Sequence, residues 1–236
     1  MTHDRRYAIY FVPADDSPLG VFGARLFGRW PDGTPEPDTL AVPEREERTR
    51  RVARYGFHAT LKAPFALASG CTESGLVDAA AQLAADMNTS SIGPLVVAPE
   101  HATVSLQHSG KTNATVVESV SALAARCVVE LEPWRAPLDA EARARRKPHQ
   151  LSEPERGLLE TYGYPWVLES FQFHLTLGDR TGDDDRDAAW TEAVAQQFGA
   201  LVPAAPVFDR IALCREPDRR QPMLRIAEFR LKPRTP

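Results

Sequence analysis

Hydrophobic and polar positions alternate in two short segments of the chain that closely resemble one another. The segments are residues 57–61 (FHATL) and 173–177 (FHLTL). Because side chains alternate across a strand with a period of two, each segment predicts a β-strand with one apolar and one polar face. The polar faces carry His58 with Thr60 and His174 with Thr176. A polar face on such an apolar strand is expected to border solvent or a cleft.

The remaining apolar positions predict a mixture of strands and amphipathic helices. Runs of β-branched and aromatic residues predict strands at 7–12, 92–99, 102–107, 114–117, 207–214 and 223–231. Apolar residues at helical spacing predict helices within 19–30, 76–87, 117–131 and 190–201. A capping box at 152–155 predicts a further helix that ends near Gly163. The charged segment 44–54 is interpreted as a solvated helical turn.

The order of these elements predicts an α+β fold with two antiparallel sheets and helices outside them. We expect a single bilobal domain over residues 1–236. One lobe is expected at about 5–116 and the other at about 165–232, with a helical connecting segment at about 117–164. In each half, a His-x-Thr strand is followed by a helix and further strands, which is a weak internal repeat.

Composition narrows the classes of function. The net charge of −4 argues against a protein that wraps long nucleic acid, although a few local cations can still bind a small anion. The three cysteines, at 71, 127 and 214, are too scattered for a disulfide framework or a zinc site, and we expect buried free thiols. No apolar run reaches the roughly 20 residues that cross a bilayer, and the N-terminal residues lack the apolar core of a signal peptide. These features predict a cytoplasmic protein without a membrane partner; they predict no oligomeric state.

Paired histidines and threonines suit the cleavage of a phosphodiester. Imidazole titrates near neutrality, so one ring can accept a proton while the other donates one. Threonine hydroxyls can donate hydrogen bonds to the non-bridging phosphate oxygens. Two histidines and two threonines without a carboxylate make a poor ligand set for a metal, so we expect neither a metal nor another cofactor. A single strand histidine is more often structural, but the repeated context favours one shared site.

Several longer segments resemble a known family. They are residues 6–11 (RYAIYF), 55–65 (YGFHATLKAPF), 125–127 (ARC), 134–138 (WRAPL) and 173–177 (FHLTL). The paired motifs resemble the 2H phosphoesterase superfamily. The longer segments are similar to one of its branches, the phosphonate metabolism proteins, which are often encoded beside carbon–phosphorus lyase genes.

The resemblance implies a bilobal 2H fold with a pseudo-twofold axis and metal-independent cleavage of a cyclic phosphate. It implies that His58 and His174 are catalytic and that Thr60 and Thr176 bind the phosphate. The substrate that it implies is a small sugar cyclic phosphate, such as 5-phosphoribosyl 1,2-cyclic phosphate. Residues 178–180 (GDR) depart from the Thr-Gly-Arg expected there, which puts local substrate contacts in doubt.

Five further residues are candidates for substrate binding. Lys62 shares the predicted polar face of Thr60, although a surface lysine is an equally good interpretation. Arg135 suits bidentate binding of phosphate, and Arg146 in a basic cluster could hold a second phosphate. Tyr10 and Tyr164 could stack on a base or bind a sugar, or they could simply pack in the core.

Two alternatives to the sugar cyclic phosphate remain open. The first is an enzyme that processes RNA ends or nucleoside 2′,3′-cyclic phosphates. The second is a phosphate- or nucleotide-binding module without turnover, which the intact histidines and threonines make less attractive.

Overall fold

A computed structural model describes residues 5–233; residues 1–4 and 234–236 of the expected domain lie outside the described part. The strands are β1 Arg6–Phe11, β2 Ala59–Phe65, β3 Ser90–Ser91, β4 Leu95–Glu100, β5 Thr103–His108, β6 His174–Asp179, β7 Val207–Phe208, β8 Arg210–Glu216 and β9 Leu224–Arg230. The α-helices are α1 Pro18–Phe27, α2 Arg45–Thr49, α3 Glu73–Ala85, α4 Ala114–Glu130, α5 Ala140–Arg145, α6 Glu153–Tyr162 and α7 Asp184–Leu201.

The strands form antiparallel sheets, and helices pack against them, so the α+β class is confirmed. One sheet has the order β2-β1-β8-β9 and another has the order β4-β5-β6, while β3 pairs with β7. Each of the two larger sheets combines strands from the ranges 5–116 and 165–232, which the sequence predicted as the two lobes. Strands β8 and β9 join β1 and β2, whereas β6 joins β4 and β5, because hydrogen bonding pairs strands that are distant in sequence.

Both His-x-Thr strands lie at sheet edges. β2 is an edge strand of the four-stranded sheet, and β6 is an edge strand of the three-stranded sheet. The two edges pack against each other without sharing a hydrogen-bonded ladder. This packing brings the two motifs from distant parts of the chain side by side.

The local chemistry explains where several helices begin and end. Ser152 and Glu155 form the predicted capping box of α6, and Gly163 ends this helix in the left-handed conformation at φ 72°. The strand predicted at 114–117 is wrong, because these residues form the first turn of α4. The Asn113 side chain accepts a hydrogen bond from the Thr115 N–H and so caps that helix.

The segment 44–54 is not simply solvated. Arg48 in α2 is buried and forms an ion pair of 2.6 Å with Asp187 in α7. Burial opposes ionisation of Asp187, but hydrogen bonds from Thr181 and Arg48 outweigh it and hold the pKa of this carboxyl well below its usual range. The pair therefore ties α2 to the start of α7 beside β6.

The core lies between the sheets and the helices α1, α3, α4 and α7. Cys127 and Cys214 are buried free thiols as predicted, whereas Cys71 is partly exposed. Over residues 5–233, none of the helices combines the length and apolar character that a membrane span requires.

Candidate active site

The two His-x-Thr motifs line the same cavity, which has a volume of about 360 Å³. His58 and Thr60 reach it from the edge at β2, and His174 and Thr176 reach it from β6. The alternation predicted from the sequence places these four side chains on the cavity side. The apolar positions between them, Ala59 and Leu175, point into the core.

Both histidines are held by the same local hydrogen bond. His58 Nδ1 lies 2.8 Å from the Gly56 carbonyl oxygen, and His174 Nδ1 lies 2.9 Å from the Gln172 carbonyl oxygen. A carbonyl oxygen can only accept a hydrogen bond, so Nδ1 carries the proton in each ring. Each Nε2 is therefore the atom available for proton transfer.

His58 is poised as a neutral ring. Burial lowers its pKa to about 4, although the hydrogen bond to Gly56 opposes this shift and a charged His174 would add to it. At neutral pH the Nε2 lone pair is consequently available. The Thr60 hydroxyl lies 3.2 Å from this Nε2 and can donate to it or to a ligand in the cavity.

His174 lies in a more open position, with a side chain that is 38% exposed. Its Nδ1 is 3.7 Å from a carboxylate oxygen of Glu100, and Glu100 in turn accepts a hydrogen bond of 2.5 Å from Ser105. Glu100 was not a candidate from the sequence. It stands at the end of β4 without a motif, and only the pairing of β4, β5 and β6 brings it to the site.

Tyr10 and Tyr164 contact the site in different ways. Tyr10 is buried and stacks on His58, so it supports the ring rather than offering a face to a base. Tyr164 lines the histidine cavity and two neighbouring cavities. Burial raises the pKa of its phenol, and the nearby Arg146 partly opposes that shift.

Lys62 does not share the cavity face with Thr60. The pairing of β1 with β2 shifts between Ile9, opposite Lys62, and Tyr10, opposite Thr60. This β-bulge inserts an extra residue in β2 and reverses the expected alternation. The Lys62 Nζ is buried, donates to the Val128 carbonyl oxygen at 2.9 Å and pairs with Glu132 at 2.7 Å.

Arg135 and Arg146 lie in a neighbouring cavity of about 410 Å³. The guanidinium of Arg135 pairs with Glu132 and donates to the carbonyl oxygens of Ala136 and Thr161. Arg146 also lines the histidine cavity, and its guanidinium carbon is 4.8 Å from the centre of the Tyr164 ring. Of the two arginines, Arg146 is thus the one that joins the two cavities.

The departure at residues 178–180 has a structural explanation. Asp179 pairs with Arg51, and Arg180 pairs with Asp187, so both side chains join β6 to neighbouring helical segments. A Cβ atom at Gly178 would lie 2.6 Å from the Trp190 ring, so only glycine fits this close approach. Neither charged residue lines the histidine cavity.

The described residues contain no group of three or more His, Cys, Asp or Glu side chains placed to hold a metal ion. The site instead combines two imidazoles, two hydroxyls and nearby guanidinium groups. These groups can transfer protons and can hold an anion.

The amino-acid sequence was compared with those of known families and proteins. Residues 60–224 match the model of a family described as "Protein of unknown function (DUF1045)". Over 220 residues the chain is 36% identical to the ribose 1,5-bisphosphate phosphokinase PhnN of Janthinobacterium sp. (strain Marseille). This alignment covers 89% of the chain and 47% of the relative. Over 219 residues the chain is 30% identical to the protein of the same name from Laribacter hongkongensis (strain HLHK9), with 90% and 48% covered. The chain thus spans about half the length of the curated relatives that it matches.

Proposed function

The chain belongs to the DUF1045 family, and from the site that it carries we propose that it is a phosphodiesterase that hydrolyses a small cyclic phosphate by two-histidine acid–base catalysis without a metal. One observation supports the proposal above all: two histidines with their Nε2 atoms available, each with a threonine, line a single cavity. We propose further that the chain has the bilobal arrangement of the 2H phosphoesterases.

In the proposed reaction His58 is the base and His174 is the acid. The neutral Nε2 of His58 takes a proton from water, and the water oxygen attacks phosphorus. The bond from phosphorus to one ring oxygen breaks, and His174 protonates the departing sugar oxygen. The products are a phosphomonoester and a free hydroxyl, so one water is consumed. Acid–base assistance of this kind contributes roughly 10²–10⁴-fold to the rate.

The threonines complete the proposed phosphate site. Thr60 and Thr176 lie two residues after their histidines on the cavity face, where hydroxyls can donate to the two non-bridging oxygens. Negative charge on these oxygens grows as water adds to phosphorus, so donors that are already in place stabilise the transition state more than the ground state.

The proposed substrate is a sugar cyclic phosphate such as 5-phosphoribosyl 1,2-cyclic phosphate, released in the cytoplasm during phosphonate breakdown. The names of the relatives refer to ribose 1,5-bisphosphate, which is also a phosphorylated ribose. The cavity of about 360 Å³ is at the small end of the range for small-molecule sites.

A ³¹P NMR screen of cyclic phosphates tests the proposal. We expect the wild type to open the ribosyl 1,2-cyclic ring in the presence of EDTA. His58→Ala and His174→Ala should each lower turnover by roughly 10²–10⁴-fold while the fold is retained. His149→Ala is the matched control, because His149 is exposed and lies outside the histidine cavity. Undiminished activity in either motif variant would refute the mechanism.

One observation favours nucleoside 2′,3′-cyclic phosphates as a second candidate substrate. Trp166 is about half exposed beside Tyr164, and both line a cavity of about 520 Å³ that also reaches His174. Exposed aromatic rings are the platforms on which bases stack. A higher kcat/KM for the nucleoside substrate, lost in Trp166→Ala, would favour this candidate over the ribosyl ring. Tight binding of both substrates without any product would instead indicate a non-catalytic binding module.

The phosphokinase activity named for the relatives is not proposed for this chain. Residues 110–112 (GKT) stand between β5 and α4, as the end of a phosphate-binding P-loop would. The first glycine of that motif is replaced by Ser105, which is buried within β5. No complete GxxxxGK[ST] sequence occurs in the 236 residues.

A further inference from the structure

An arginine-rich cavity adjoins the histidine cavity. It has a volume of about 410 Å³, and its lining includes the arginines Arg6, Arg135, Arg145, Arg146 and Arg219. Arg6, Arg146 and Tyr164 line both cavities, so the two spaces are neighbours. Five arginines therefore line one small space in a chain whose net charge is −4.

Most of this positive charge is already matched by carboxylates, but that of Arg146 is not. Arg6 pairs with the buried Glu216, and Arg145 pairs with Glu141. Among residues 5–233, no carboxylate contacts the guanidinium of Arg146, which instead lies over the ring of Tyr164.

The surroundings of Arg146 favour the approach of an anion. Burial lowers the pKa of its guanidinium, Tyr164 partly opposes this shift, and Arg6, Arg219 and Arg145 lower it further. A desolvated cation with three like charges nearby is stabilised when a negative charge enters the same space.

The acidic residue that lines this cavity does not serve as a partner of Arg146. Asp139 precedes α5, and its carboxylate accepts a hydrogen bond from the Ala142 N–H at 2.6 Å. The donors of Arg135 are bound to Glu132 and to main-chain carbonyl oxygens, so this arginine stabilises the wall of the arginine-rich cavity. Of the two arginines that line both cavities, Arg6 is paired with Glu216, and Arg146 is therefore the one whose donors are available to a ligand.

We infer that the arginine-rich cavity binds a second phosphate group, a phosphomonoester that the substrate carries in addition to its cyclic phosphate, and that Arg146 is its principal ligand. The inference rests on the proposed function for the position of the cyclic phosphate. It makes the second phosphate a determinant of specificity, because the site selects substrates with an anion at each end of a small sugar. Arginine suits this role, since its planar group donates two parallel hydrogen bonds to phosphate oxygens.

Two substrates that differ only in the second phosphate test the kinetic consequence. Arg146→Gln should raise KM for 5-phosphoribosyl 1,2-cyclic phosphate by about tenfold or more, the loss of one hydrogen bond to a charged group. Its KM for ribosyl 1,2-cyclic phosphate, which lacks the 5-phosphate, should stay at the wild-type value. Arg143→Gln is the matched control, since Arg143 is exposed and pairs with Glu160 outside the cavity. An equal rise for both substrates would overturn the inference.

A binding experiment separates failure of this inference from failure of the proposed reaction. Ribose 5-phosphate is titrated calorimetrically into the wild type, Arg146→Gln and the double variant His58→Ala/His174→Ala, with ribose as the uncharged control ligand. We expect the double variant to retain binding and Arg146→Gln to lose about tenfold or more in affinity. Binding that is lost in the double variant and kept in Arg146→Gln would place the anion at the histidines and refute the inference. Absence of binding to the wild type would refute it as well, whatever the screen of cyclic phosphates shows.

Discussion

The ring of Tyr10 stacks on the imidazole of His58, with centroids 3.7 Å apart and planes inclined by 20°. Tyr10 lies in the central strand β1, and His58 immediately precedes the neighbouring strand β2, so the sheet fixes the pair. Tyr10 is only 1% exposed and covers one face of the imidazole. It therefore excludes water from a ring whose burial lowers its pKa to about 4.

Removal of Tyr10 should change the pH dependence of the reaction. The base acts only when unprotonated, so kcat/KM falls as the pH drops through the pKa of His58. In Tyr10→Ala, water reaches the ring and stabilises the imidazolium, so the pKa should rise from about 4 toward 6.5. The acidic limb of the kcat/KM profile should move to higher pH by the same interval.

Tyr10→Phe is the control for that experiment, because it keeps the stacked ring. It should keep the acidic limb of the wild type. An NMR titration of the His58 ring in all three proteins reports the same pKa without turnover. Identical His58 titrations in wild type and Tyr10→Ala would contradict the role given to the stack.

The lowered pKa of His58 should also make stability depend on pH. Between about 4 and 6.5 the unfolded chain binds a proton at this residue that the folded chain does not. The free energy of unfolding should therefore fall as the pH drops through this window, by at most about 3 kcal/mol at 1.36 kcal/mol for each pH unit. Urea denaturation of wild type and His58→Gln at several pH values measures this fall in the free energy of unfolding. The contributions of the other titrating groups cancel in the difference between the two proteins. The same slope in both proteins would count against a buried neutral ring.

The Thr60 hydroxyl should matter for turnover rather than for folding. Its Oγ1 lies 3.2 Å from His58 Nε2 in the cavity. Thr60→Val keeps the shape and removes the donor, so kcat should fall by about 10²-fold, as for the loss of a transition-state donor. Thr60→Ser retains a hydroxyl and should retain most of the activity. Equal activity of the valine and serine variants would show that the hydroxyl does not bind the phosphate.

The placement of the two motifs could be predicted from the sequence because their signal is local. A period of two and a repeated His-x-Thr suffice to place His58, Thr60, His174 and Thr176 on polar faces. That the two faces line one cavity was a hypothesis from their similarity, and in the structure β2 packs against β6 so that the four side chains line the same cavity. The capping box at Ser152 could also be predicted from the sequence, because its two partners are three residues apart.

Features that depend on long-range pairing could not be predicted. Glu100 reaches His174 only because β4, β5 and β6 form one sheet, and no motif marks it. The pairing of β8 and β9 with β1 and β2, and of β6 with β4 and β5, likewise has no local signal in the sequence. Arg48, in a charged segment, is buried because Asp187 in a distant helix pairs with it.

Lys62 shows how a single irregularity changes the interpretation of a residue, and its substitution tests the result. A bulge in β2 turns this lysine away from Thr60 and toward Glu132 and the Val128 carbonyl oxygen. Lys62→Met keeps most of the length of the side chain but removes its hydrogen bonds to Glu132, which stays paired with Arg135, and to the Val128 carbonyl oxygen. We therefore expect the free energy of unfolding to fall by about 2 kcal/mol, as for the loss of a hydrogen bond to a charged group. KM for the cyclic phosphate, measured where the variant is folded, should stay at the wild-type value. A raised KM with unchanged stability would instead indicate that Lys62 contacts the substrate, as a regular alternation along β2 predicts.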